Sequence, residues 1–226
     1  MTVEQLTPSV RYVHADCVAF LKTVPDKHYQ LAIVDVPYGI GEDGSKNKTR
    51  GTKGIKAKDF VPFEGGDKEA PGPEYWEELF RVSENQIVWG ANHFISRIPI
   101  DSSCWVVWDK DNGTNDFADC ELAWTSFPAA VRKFFHRWNG MLQQNMKYKE
   151  NRIHPTQKPV VLYRWLMRKF AKHGDRIIDT HLGSGSSGIA AHLEGLDFTG
   201  VELSDHYFNE AVKRFNLEAH QTELGF

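Results

Sequence analysis

Cysteine is scarce in this chain: Cys17, Cys104 and Cys120 are the only three in 226 residues, widely separated and with no Cys-x-x-Cys pair. Their number and spacing argue against both a disulfide framework and a thiolate metal site, so a reduced setting and no metal are expected. Long apolar runs are missing too. Nothing approaches the roughly 20 residues needed to cross a bilayer, and the opening MTVEQLTPSVRY lacks the apolar stretch of a signal peptide. The expectation is a soluble, cytoplasmic protein without a membrane partner. Nor is there an excess of positive charge: the net charge is -3 and the pI about 6.4. A nucleic-acid surface, if present, must come from local clustering of basic residues.

What the chain does have is enough apolar content, 41%, for one well-filled core. Residues 1–226 are therefore expected to form a single domain. Apolar runs read as strands at 10–15, 31–36, 86–90, 104–108, 120–124, 131–135, 176–179 and 198–202. Helical spacing appears at 17–24, 74–82, 160–173 (with Gly174 as its stop), 189–193 and in the last segment, where Phe208, Ala211, Val212 and Phe215 share a face behind a Ser204 or Asp205 cap. Residues 39–73 lack periodicity and read as a mobile insertion, while 141–151 read as a loop. Alternating strands and helices predict an α/β fold: a doubly wound, mostly parallel sheet with helices on both faces.

Two segments carry chemistry. In the first, a strand over 176–179 enters the turn Gly183-Ser184-Gly185-Ser186-Ser187-Gly188 and then a helix. Glycines allow close backbone approach to a ligand, and a helix start offers free N–H groups. Glu202 ends the next strand, where a carboxylate can bind the two hydroxyls of a ribose. A dinucleotide, an adenosine-type cofactor or merely a tight structural turn all fit this pattern, although Glu202 favours a ligand. In nucleotide-binding folds such a unit normally comes first. Here only one strand and one helix follow it, so the rest of the sheet must come from earlier in the chain, which implies a circular permutation.

The second segment is Asp35-Val36-Pro37-Tyr38, at the carboxyl end of an apolar strand, the usual place for ligands in open α/β sheets. Transfer of a methyl group to an amino nitrogen would account for it. Such a nitrogen is a poor nucleophile because its lone pair is delocalised into the base. Two acceptors on its hydrogens, Asp35 and a carbonyl at Val36 or Pro37, draw it toward tetrahedral geometry. Tyr38 would stack on a base swung out of the duplex, with a gain of roughly 1–3 kcal/mol. The competing reading is an ordinary Pro-containing turn.

Together these segments resemble the amino-methyltransferases of DNA, whose hallmark is (Asp/Asn/Ser)-Pro-Pro-(Tyr/Phe/Trp). The order, with DVPY first and the glycine turn last, resembles the permuted beta group. A further match is His154-Pro155-Thr156-Gln157-Lys158-Pro159 ahead of a helix. The resemblance extends from Asp16 to Phe215, with one departure: Val36 stands where the family has its first proline. It implies an adenine-specific DNA methyltransferase that uses S-adenosylmethionine and acts on the N6 amino group of double-stranded DNA. The catalytic residues would be Asp35, Val36, Pro37 and Tyr38. The cofactor would be held by Asp16 and Cys17 at its adenine, by Glu202 at its ribose, and by Asp179, Leu182, Gly183, Ser184, Gly185, Ser186 and Ser187 at its methionine part, with Lys158 on its carboxylate. The group also suggests a homodimer and a restriction-modification context.

The acid-free run Lys46, Lys48, Arg50, Lys53, Lys56 and Lys58 directly follows the tetrapeptide and is expected to contact DNA phosphates. Arg132, Lys133, His136, Arg137 and Trp138 form a weaker nucleic-acid candidate, and Asn92 and Asp109 are candidate pocket residues. Trp89, Trp105, Trp108 and Trp124 are expected in the core. Cytosine N4, RNA adenine, a catalytically silent relative and a NAD-dependent oxidoreductase are the competing readings. A 5-methylcytosine enzyme would need a thiolate nucleophile, which in that family sits within a Pro-Cys dipeptide; none of the three cysteines follows a proline, which argues against that class.

Overall fold

A computed structural model of the chain describes residues 1–42, 51–52, 55–56, 60–62, 67–113, 118–139 and 142–223. The elements in order are β1 (Thr2–Gln5), β2 (Val10–His14), α1 (Cys17–Leu21), β3 (Tyr29–Val34), β4 (Gly51–Thr52), β5 (Ile55–Lys56), α2 (Pro73–Val82), β6 (Ser83–Trp89), two 3-10 turns (Ala91–His93 and Ile95–Arg97), β7 (Trp105–Asp109), β8 (Cys120–Thr125), β9 (Arg132–Phe135), β10 (Trp138–Asn139), β11 (Leu142–Gln143), α3 (Val160–Phe170), β12 (Arg176–Asp179), α4 (Ser186–Leu193), β13 (Asp197–Glu202) and α5 (Asp205–Glu223).

Nine of these strands form one sheet in the order β1-β2-β13-β12-β3-β6-β8-β7-β9. The stretch from β2 to β6 is parallel throughout. β1 is an antiparallel edge strand, and β8 runs antiparallel to both of its neighbours. Side-chain alternation assigns each central strand to two cores. Leu31 and Ile33 of β3, with Ile177 of β12, face α3, α4 and α5; Ala32, Val34 and Ile178 face α1 and α2. This is the doubly wound α/β architecture expected from the strand–helix alternation.

Several boundaries differ from expectation for local reasons. α3 stops at Phe170, because Ala171 turns to extended backbone; Gly174, at φ +84°, belongs to the next turn, where Asp175 N–H donates to the Lys172 carbonyl. α4 begins at Ser186 rather than 189, since Gly185 at φ +76° closes the preceding turn one residue earlier. Within the segment read as a loop at 141–151, Leu142–Gln143 pairs with Trp138–Asn139. β1 was not apparent in the sequence: its four residues TVEQ are all exposed, so it carries no apolar signal. Trp89, Trp108 and Trp124 are fully buried, split between the two faces, whereas Trp105 is only half-buried. No helix among the described residues is long and apolar enough to cross a membrane.

Candidate functional site

Because β2, β13, β12, β3 and β6 are parallel, their carboxyl ends lie along one edge of the sheet. That edge therefore carries, in spatial order, Asp16, Glu202, Asp179, Asp35 and Gly90. The ends of β12 and β3 are neighbours in register, with Ile178 beside Ala32. The glycine turn and the DVPY tetrapeptide, far apart in the chain, thus come together. β8 runs the other way, so its first residues, Cys120 and Glu121, reach the same edge.

The glycine turn is held from several sides. Gly183 N–H donates to Glu202 Oε2 at 2.8 Å, and Leu182 N–H donates to the Val201 carbonyl at 2.9 Å. Gly183 and Gly185 both have positive φ, +53° and +76°. The buried Arg214 of α5 donates to the Ser184 carbonyl at 3.1 Å and to Ser186 Oγ at 2.9 Å, and pairs with Glu150 Oε2 at 2.9 Å. Glu150 Oε1 in turn accepts from Val160 N–H at 3.0 Å, capping the start of α3 from outside the helix. The serine side chains and Leu182 are therefore turned inward, and backbone is what this turn offers a ligand.

Asp179 is buried and accepts from Ser187 Oγ at 2.6 Å and from His181 N–H at 3.0 Å. Burial outweighs these donors and pushes its carboxyl up to about 7. Glu202 takes N–H groups from Gly183 and Ser204, and burial likewise raises its carboxyl. Asp16 caps α1 by accepting from Ala19 N–H at 2.8 Å, and burial together with Asp16 raises the Cys17 thiol to about 12. His154 lies against Tyr207, ring centroids 4.3 Å apart, and beside Gly183; burial and nearby cations bring it down to about 3, so it is neutral.

At the other end, each Asp35 oxygen has a partner. Its Oδ1 accepts from the Tyr38 hydroxyl at 2.7 Å, and its Oδ2 pairs with Lys158 Nζ at 2.6 Å. Burial raises its carboxyl, with Lys158 opposing. The Tyr38 ring is stacked on His93, centroids 5.3 Å apart and planes 16° from parallel. It lies so close to Gly90 that a Cβ there would sit 2.1 Å from its Cε1. A cavity of about 390 Å³ opens beside this stack, lined by Tyr38, Lys68, His93, Phe94 and Arg97 among others. Gly90 also has φ +69°. We expect Gly90→Ala to cost at least about 1–2 kcal/mol from backbone conformation alone and to displace Tyr38. Urea unfolding of the two proteins would show it as a lower midpoint, and an unchanged midpoint would disprove the contact.

Lys158, assigned by resemblance to a cofactor carboxylate, is engaged within the protein. Its side chain is 4% exposed, and besides Asp35 it contacts Glu121 Oε2 at 3.2 Å and the Tyr38 hydroxyl at 3.2 Å. Its loop is braced by Gln157, whose Oε1 accepts from Ile153 N–H and whose carbonyl accepts from Trp138 Nε1, both at 2.9 Å. Trp138 is therefore a buried brace and not part of a surface patch, and Lys133 and Arg137 are paired with Asp109 and Asp111. Asn92 is exposed beside the site, and Asp109 lies at the end of β7 on the same edge. Of the expected phosphate contacts, Lys46, Lys48, Arg50, Lys53 and Lys58 lie outside the described residues; Lys56 is described only in its backbone, within β5.

Three participants had no motif to announce them. Asp67, 4% exposed, accepts N–H groups from Gly39, Ile40 and Glu42 and shapes the chain leaving Tyr38. Glu121 joins Lys158 to Lys110, whose Nζ is 2.6 Å from Glu121 Oε1. The one available signal was a carboxylate inside the apolar strand CELAWT, a position that demands a partner.

A family model described as N6/N4-type DNA methylase matches residues 88–213. The type II methyltransferase M.HinfI of Haemophilus influenzae is 24% identical over 88% of this chain, which spans 66% of that protein's length. M2.DpnII of Streptococcus pneumoniae, also a type II methyltransferase, is 22% identical over 91% of this chain and 89% of its own length. Among solved structures, TTHA0409 of Thermus thermophilus in complex with S-adenosyl-L-methionine shares the fold, with a TM-score of 0.57 at 18% identity, covering 95% of this chain and 96% of that one.

Proposed function

The chain belongs to the N6/N4 DNA methylase family, and from that premise we propose that it methylates the exocyclic amino group of a base flipped out of double-stranded DNA, at adenine N6, with S-adenosylmethionine as donor. The observation that carries the reading is the meeting of Asp35 and the glycine turn at the ends of two adjacent parallel strands. DVPY preceding that turn in the chain supports the permuted, beta-group arrangement.

The residues present suit the cofactor. Asp179 offers a buried carboxylate for an ammonium, the Gly183–Gly185 backbone lies open with the Ser184 side chain turned inward, and Glu202 and Asp16 stand at the next two strand ends for ribose and adenine. When bound, S-adenosylmethionine supplies a methyl group on a sulfonium, an excellent leaving group. The protein's task is positioning and electrostatics. Asp35 accepts one amino hydrogen and the carbonyl at Val36 or Pro37 the other. Tyr38 exchanges its stack on His93 for a stack on the base and releases its hydroxyl from Asp35. Val36 is compatible with this: its side chain is 2% exposed within the core on the α1 and α2 face, so the valine is held by packing where the family uses a ring.

The aspartate at the head of the tetrapeptide favours adenine over cytosine. The basic run 45–58 follows the tetrapeptide, where a duplex must lie, and is assigned to its phosphates; the whole of 1–226 acts as one catalytic unit. Incubation of purified protein with S-adenosylmethionine and, separately, mixed-sequence duplex DNA and RNA, then mass spectrometry of the nucleosides, should yield N6-methyladenine from the DNA. N4-methylcytosine would correct the base; methylation of RNA alone, or of neither, would overturn the reading.

A further inference from the structure

The charges behind Asp35 form a chain that neither the tetrapeptide nor the methyl donor explains. The buried Lys158 Nζ lies between two partly buried carboxylates, 2.6 Å from Asp35 Oδ2 and 3.2 Å from Glu121 Oε2. Its ammonium sits over the rings of Trp89 and Tyr38, 5.4 and 5.7 Å from their centroids. Glu121 Oε1 is firmly held by Lys110 at 2.6 Å. Glu121 Oε2, by contrast, is shielded from solvent and makes no well-directed hydrogen bond; Lys158 stands off its preferred line. A buried acceptor in this state is an open berth for a donor.

Resting on the function proposed above, we propose that Glu121 is a positioning residue that shares Lys158 with Asp35, so that Lys158 can move onto Glu121 as Asp35 turns an oxygen to the base amino group. The need follows from the geometry. Both Asp35 oxygens are occupied before a base arrives, by Tyr38 and by Lys158. Stacking a base on Tyr38 frees one. That oxygen can accept the amino hydrogen, but it carries the carboxylate's full charge only if Lys158 loosens its hold on the other, and parting this partly buried ion pair is unfavourable unless the cation finds a second carboxylate at once. Glu121 provides it a short swing away, and Lys110 keeps Glu121 from capturing Lys158 outright.

The charged state of the cluster agrees. Although burial opposes it, Lys158 and Lys110 bring Glu121 down to about 2, so it is anionic at any working pH. Burial likewise works against Lys158, yet Asp35 and Glu121 raise it. The titratable groups facing the pair are Tyr38, Lys110, Glu121, Tyr163 and Asp179, with Arg152 and His154 on the loop that carries Lys158. Glu121 raises the Asp35 carboxyl and Lys110 quenches Glu121, so the two neighbours should move Asp35 in opposite directions.

The test is a carbon-13 NMR titration of the Asp35 carboxyl in the full chain, assigned by its loss in Asp35→Ala, combined with kinetics on duplex DNA. Glu121→Gln should move the Asp35 titration, and the acid limb of kcat, about one pH unit toward acid. Lys110→Met should move both toward alkali. In Glu121→Gln, kcat should fall about tenfold or more while the KM for DNA changes little, and Glu121→Asp should restore part of kcat. Should Glu121→Gln not fold, Lys110→Met and Glu121→Asp carry the test. Identical titrations in all variants, or shifts of the same sign, would overturn the assignment. The titration needs neither DNA nor methyl donor. A wild-type chain that is inactive on DNA yet shows opposite shifts would refute the methylation reading and leave the coupling standing.

Discussion

Replacing Asp35 by alanine is expected to reduce methyl transfer to DNA by about 10²–10³-fold or more, in kcat rather than in the affinity for S-adenosylmethionine. Removing one preorganised polar partner of the reacting group typically has that effect. Asp35 is the sole carboxylate of DVPY and already stands at hydrogen-bonding distance from Tyr38 and Lys158. Its loss removes the acceptor proposed to draw the amino group out of conjugation, and it leaves Lys158 to Glu121. The cofactor contacts assigned to Asp179, Glu202 and the glycine turn lie on other strands and keep their hydrogen bonds. Isothermal titration with S-adenosylmethionine should therefore give a Kd within about threefold of wild type, since independent sites act additively. A variant that keeps its rate would remove Asp35 from the chemistry. One that loses cofactor binding together with activity would show that Asp35 supports the fold of the site instead. Alanine is preferred to asparagine because an amide oxygen could still accept one hydrogen.

How far the sequence alone could lead differs between the two parts of this site. Strand ends are local: an apolar run that stops at Asp35, Asp179 or Glu202 announces a carboxylate at the sheet edge, and the parallel order then brings them together. Lys158 shows the limit. Its motif placed it near a ligand, but its partners come from β8 and from the end of β3, and nothing in the spacing of Asp35, Glu121 and Lys158 says that three strand and loop ends converge on one ammonium. Trp138 failed as a surface candidate for a similar reason, because its place was decided by the distant Gln157 carbonyl. β1 was hidden because an exposed edge strand needs only backbone pairing to form. The boundary of α4 was obscured because serines and glycines read as a loop although Gly185 starts the helix. Local chemistry was visible, then, and long-range partnership was not.

The same logic gives the second large effect, which reverses the usual relation between a site residue and stability. Asp179 is 1% exposed, and burial, despite help from Ser187 and the His181 N–H, raises its carboxyl from 3.8 to about 7. Its folded-state value lies above the unfolded one, so the folded protein binds the extra proton between these limits. Stability from this group is highest below about pH 4 and is lost as pH rises through 7. Above that, an ionised Asp179 opposes folding by an amount on the order of a few kcal/mol. Asp179→Asn removes the charge and keeps the shape: its oxygen can still accept from His181 N–H, and Ser187 Oγ can turn to accept from the amide. The ligand-free variant should therefore be more stable than wild type at pH 8, with the gap closing by pH 5; urea midpoints at the two pH values measure this. Meanwhile the charged hydrogen bond proposed for the cofactor ammonium, worth about 1.5–3 kcal/mol, would be lost, so the Kd for S-adenosylmethionine should rise roughly 10–100-fold at pH 8. A variant that is less stable at pH 8 would show the carboxylate to be structural, and an unchanged Kd would free it from the cofactor. Gain of stability with loss of binding is what a strained, preorganised binding carboxylate requires.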